Sequence, residues 1–223
     1  PPRSPLTGAA LLVAAAGLPL LRQTGAHSWN TIWGEDGWVY FQQAHDHGLG
    51  VVLRGYAGYL QLPPRLLAIP TPYLPQGALT VYLSVTASAV CAGLAWFVYW
   101  ATQGWIESRP VRLALAALVV LAPVLGYENT GNLTNTIWTF FAVAPWALVA
   151  RSRSRPGTAL RASVAFAAAT ATALSAIFWP LALLVAALRR RRSDRLVGAA
   201  YTAGLALQFA VVTHTRDTRP HVI

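Results

Sequence analysis

The feature that most restricts this chain is a series of apolar runs, several near the ~20 residues that carry a helix across ~30 Å of hydrocarbon. Residues 6–21, 78–101, 113–125, 133–150 and 196–212 contain no charged side chain. A further apolar stretch, 162–188, would make one helix about 40 Å long, too much for one upright crossing. Only 11% of the chain is charged, against about 25% in soluble domains. This excludes a disordered chain, a disulfide scaffold and an ordinary cytosolic enzyme. The expected fold class is all-α, a polytopic helical membrane protein forming a single transmembrane domain over 1–223.

Charge placement orients the spans. The formal net charge is +10, and every basic residue other than histidine is an arginine. The arginines sit in short clusters at the ends of apolar runs, as the positive-inside rule demands, rather than on a soluble basic module. Nucleic acid is therefore not expected as a partner, whereas membrane lipids are. With the N-terminus and Arg3 in the cytoplasm, Arg109, Arg112 and the clusters at 151–161 and 189–195 all fall inside. That holds only if 162–188 is a hairpin, 162–178 and 179–188, broken near Trp179–Pro180. The count is then about seven spans, in a multi-pass protein of the cell membrane. The first run reads as an uncleaved span rather than a signal peptide, because no good small-residue cleavage site follows it. The lone Cys91 can form no intrachain disulfide and reads as a small core side chain.

The first external segment, 22–77, is much longer than the other connections. It carries Trp29, Trp33, Trp38, Tyr40, Phe41, Tyr56, Tyr59 and Tyr73. Aromatics with a polar tip settle at the membrane interface, so the segment is expected to lie along the outer surface. A short helix is expected over 37–47. Pro63, Pro64, Pro70, Pro72 and Pro75 exclude a long regular helix after it.

Within that segment lies Trp33–Gly34–Glu35–Asp36–Gly37–Trp38. Adjacent carboxylates disfavour each other's ionisation, and flanking indoles desolvate them, which suits a general base at the membrane face. Asp36 is the first choice and Glu35 the second. An acidic pair in an aromatic loop after the first span, opposite the arginine clusters, resembles the GT-C superfamily of integral membrane glycosyltransferases. The run from Tyr56 to Leu66 looks like loops of bacterial multi-span proteins of that kind. Ser175–Ala176–Ile177–Phe178–Trp179–Pro180 is similar to the proline-broken hairpins of the superfamily. The resemblance implies transfer of a sugar from a polyprenyl-phosphate donor to an acceptor outside the cytoplasm, with no organic cofactor and the need for a divalent cation left open. Members usually have eight or more spans and many add a soluble C-terminal domain, so on this resemblance the chain reads as a truncated member.

A departing lipid phosphate needs a guanidinium, and Arg54 and Arg65 are the external loop cations that could supply it. A second polar patch runs from Gly126 to Asn135. In it Glu128, Asn129 and Asn132 are candidates to bind a sugar, with a turn and helix cap as the equal alternative. His45–Asp46–His47 suggests a metal, but on a helix two residues that far apart point away from one another. The competing functions are a transporter subunit and a non-catalytic membrane protein. Transport is disfavoured by spans that lack ionisable residues and by the absence of a repeat.

Overall fold

A computed structural model describes residues 5–21, 28–121 and 131–214. Among these the secondary structure is helical, with no strand and one isolated bridge between Tyr56 and Tyr59. The α-helices are α1 (Pro5–Leu21), α2 (Gln42–His47), α3 (Leu62–Ala68), α4 (Gln76–Ala101), α5 (Arg109–Leu121), α6 (Thr136–Val149), α7 (Arg155–Ala171), α8 (Trp179–Arg189) and α9 (Arg192–His214). The chain divides into two compact units. Unit 1 is Pro1–Gly48 with Leu67–Thr139, and unit 2 is Leu49–Leu66 with Phe140–Ile223.

In unit 1, α4 packs against both α1 and α5. Small side chains permit this close approach, with Ala95 of α4 meeting Ala116 and Val120 of α5 and Ala15 of α1. Cys91 is buried, its sulfur 3.5 Å from Thr139 Oγ1. The far end of α4 closes on Thr102, whose carbonyl accepts from Trp105 N and Ile106 N.

In unit 2, α7 and α9 form the tightest pair. A Cβ on Gly204 would lie 2.8 Å from Ala169 Cβ and 3.0 Å from the Phe166 carbonyl oxygen, so only glycine allows this crossing. Ser154 caps α7, its hydroxyl accepting from Gly157 N at 3.2 Å, and Pro156 fits the first turn because it has no N–H to satisfy. Thr172, extended at φ −150° and ψ 142°, ends that helix.

Two helices are long and apolar enough to cross a membrane among the described residues, Gln76–Gly104 and Arg192–His214. This corrects the count of about seven spans. Shorter apolar helices cover Gly8–Leu21, Thr136–Val149 and Ala173–Arg189. At 1.5 Å per residue α1 spans about 26 Å, α6 about 21 Å and α8 about 17 Å, all short of ~30 Å. The physical reason is where helices stop. An apolar run continues through Thr172, but the helix does not, because the threonine hydroxyl accepts from Leu174 N and opens a 3-10 turn over Ala173–Phe178. The break expected near Trp179–Pro180 therefore comes earlier, and Pro180 instead begins α8. Arg190, in the left-handed region at φ 52°, ends α8. The tail of the expected span 113–125, beyond Leu121, lies outside the described residues.

Candidate functional site

The acidic motif begins a helix. The Trp33 carbonyl accepts from Asp36 N at 2.8 Å and from Gly37 N at 3.3 Å. From there Asp36–Phe41 winds as a π-helix and passes directly into α2, which stops at Gly48. The helix expected over 37–47 is thus present, with an unexpected wide first turn. Such turns are rare and frequent at functional positions. A Cβ at Gly37 would lie 2.9 Å from Ile32 Cγ2, so any larger residue there would force Ile32 to shift. Thr80 Oγ1 donates to Asn30 Oδ1 at 2.9 Å and ties the segment to α4.

Successive residues on a helix project about 100° apart, and the motif divides accordingly. Asp36 is only 1% exposed, whereas Glu35 is exposed. Leu133 N donates to Asp36 Oδ2 at 2.7 Å. Thr134 N and Thr134 Oγ1 donate to Oδ1 at 2.9 and 2.7 Å. Burial raises the Asp36 carboxyl above the usual carboxylate range; the Thr134 and Leu133 hydrogen bonds oppose the rise, and Glu35 adds slightly to it. Asp36 therefore does not lie in a wet loop, as its sequence setting suggests. It joins two polar segments that are 97 residues apart at Leu133.

The second segment is a turn. Gly131 has φ 80°, and Asn132, 3% exposed, accepts from Asn135 N through Oδ1 at 2.8 Å. Leu133 O accepts from Thr136 N and from Thr136 Oγ1 at the start of α6. Of the two roles open to Asn132 in the sequence, the turn-forming one is in place. Glu128 and Asn129 lie outside the described residues.

Arg54 and Arg65 fall in unit 2, whereas Glu35, Asp36 and Asn132 fall in unit 1. Arg54 is half-buried. Arg65 has no exposed surface; its Nε donates to Leu60 O at 3.1 Å and its Nη1 to Val51 O at 3.3 Å. It shapes its own loop, where Leu60 N also donates to Gln208 Oε1 of α9. The chain is strained here, with Ala57 at φ 50° and Gln61 at φ 55°. Ala57 and Gly58 form a tight turn closed by paired Tyr56 and Tyr59 backbone bonds of 2.8 and 2.9 Å.

His45 and His47 lie on α2, where His45 Nδ1 is 3.1 Å from Asp46 Oδ1 in the open. Among the described residues no group of three or more His, Cys, Asp or Glu side chains gathers to hold a metal ion.

The chain matches no family model, no curated protein and no solved structure.

One constellation escapes the sequence pattern. Arg161, read as part of a cytoplasmic topology signal, is fully buried and pairs with Asp194 at 2.9 Å. It also donates to Ala147 O at 3.1 Å and to Leu148 O at 3.0 Å. Arg189 reaches Val149 O at 2.8 Å and lies 3.8 Å from Asp194. The only signal available in the sequence was the lone acid Asp194 inside the run Arg189–Arg195.

Proposed function

We propose that this chain is a membrane glycosyltransferase of the kind its sequence resembles, moving a sugar from a polyprenyl-phosphate donor to an acceptor outside the cytoplasm. The supporting observation is the convergence of the acidic motif and the second polar patch through Asp36, which leaves Glu35 exposed beside them. In this reading the protein is multi-pass, with its N-terminus and arginine clusters in the cytoplasm and residues 22–77 outside. The shorter helices, α1, α5, α6, α7 and α8, would then cross with their ends in the interface or beside thinned bilayer.

The chemistry divides between the two carboxylates. An acceptor hydroxyl attacks the anomeric carbon of the donor as the bond from that carbon to the phosphate oxygen breaks. The phosphate leaves with the bonding pair, and the hydroxyl proton passes to a carboxylate. Three hydrogen bonds and burial hold Asp36 in place, so the order of candidates drawn from sequence is reversed. Glu35 takes the proton, and Asp36 positions it. The buried Arg65 serves its own loop and is not offered to a leaving phosphate.

The test uses the full-length protein in proteoliposomes with a polyprenyl-phosphate-linked sugar. Glu35→Gln should lower the transfer rate about 10²- to 10⁴-fold with an unchanged melting temperature. Full activity in Glu35→Gln would overturn the assignment of the base. Solute flux in place of sugar transfer would replace the whole reading with transport.

A further inference from the structure

Unit 1 contains a groove that the Asp36 site does not use. It lies between α1, α4 and α5 and encloses about 390 Å³, within the ~300–1,000 Å³ common for ligand sites. Leu11, Ala15 and Leu18 form one wall, Trp96 a second, Ala117 and Val120 a third. Walls this apolar offer nothing to a sugar or a nucleotide. One end is different, because it is lined by Arg109, the first residue of α5, and by Tyr99. The guanidinium carbon of Arg112 stands 4.9 Å from the centroid of the Tyr99 ring. Arg112 is 7% exposed, and its Nε has no hydrogen-bond partner among the described residues. Glu107, on the exposed stretch before α5, is not part of the lining.

An occupant must therefore combine a long alkyl chain with an anion at one end. We propose that the groove holds one acyl chain of an anionic phospholipid, with its phosphate on Arg109 and Arg112 behind it. A helix N-terminus adds its own attraction for the phosphate, and a guanidinium binds phosphate oxygens in pairs. Arg112 is not part of the lining itself, but it sits over the face of Tyr99, which is, and that face does not neutralise it. The lipid belongs to the arginine-bearing side of the protein, and its binding is independent of sugar transfer.

The full-length protein, purified and delipidated in detergent, can be titrated with phosphatidylglycerol and phosphatidylcholine of identical chains and read by native mass spectrometry. Phosphatidylglycerol should bind about tenfold more tightly, and inorganic phosphate should not displace it. Arg109→Gln changes an exposed side chain, so it tests the phosphate contact without disturbing the fold, and it should abolish the preference. Ala117→Trp should weaken both lipids by filling the trough. Equal binding of the two lipids, or a preference that survives Arg109→Gln, would overturn the proposal. So would displacement by inorganic phosphate, which marks a free-anion site. Binding of neither lipid by folded protein would show that the groove is closed by other residues of the chain.

Discussion

Helix α6 is held at both ends by buried charge, and the two ends solve the problem differently. At its start Asp36 accepts from Leu133 N, Thr134 N and Thr134 Oγ1, all neutral donors. At its finish Arg161 and Arg189 donate to the carbonyls of Ala147, Leu148 and Val149, and Asp194 answers them. Both arrangements agree with the helix dipole, which favours an anion at the first turn and cations at the last. They differ in how the aspartate is compensated. Asp194 faces a full opposite charge, while the described donors to Asp36 are all dipoles; burial raises the Asp36 pKa. Dipoles can hold a carboxylate in place without neutralising it. Such a group suits a functional site, whereas a guanidinium pair suits a permanent joint.

The comparison can be broken at either end. Asp194→Asn should have the largest effect. It leaves Arg161 buried without its charge partner, at a cost of about 3–5 kcal/mol, measurable as lost thermal stability in detergent. Asp36→Asn should cost less, about 1–3 kcal/mol for turning an amide N–H₂ toward buried donors. Equal losses in the two variants would remove the distinction between dipole and charge compensation. Thr134→Val should cost about 0.5–1.5 kcal/mol, since one of the three donors to Asp36 is lost and two remain.

The smallest effect is a pH dependence. The Asp36 pKa is raised in the folded protein, so the folded state holds the proton more tightly than the unfolded state. The stability this contributes is complete below the unfolded value of about 3.9 and is lost as pH rises through the folded pKa. Melting temperatures across that range should therefore fall with rising pH more steeply in the wild type than in Asp36→Asn. Parallel curves would mean that Asp36 titrates alike in both states.

The helical class and the apolar segments were legible in the sequence because run length and missing charge report directly on burial. The short helix after Gly37 was legible for the same local reason, bounded as it is by glycine. Helix ends were not. Thr172 sits in an unbroken apolar run and stops a helix through its own hydroxyl, which composition does not reveal. Nor could the sequence separate Arg65 and Arg161 from the exposed arginines around them. Burial of Arg161 depends on Asp194, 33 residues along the chain, and that of Arg65 on the loop carbonyls of Val51 and Leu60, which composition does not mark as its partners. The Glu35–Asp36 pair was visible as a candidate, but the side that each residue faces depends on the turn at Leu133.

The link from Asp36 to Leu133 also sets an order of events during synthesis. At ~5–20 residues per second, the 97 residues between them take roughly 5–20 s to emerge. Until then the carboxylate has none of its eventual donors and stays hydrated. It can be withdrawn from water only after α4 and α5 have been made, so the stretch that carries the acidic motif reaches its final form late in the assembly of unit 1. Arg161 waits for Asp194 across 33 residues, about a third of that interval, so the joint at the end of α6 closes within a much shorter stretch of synthesis.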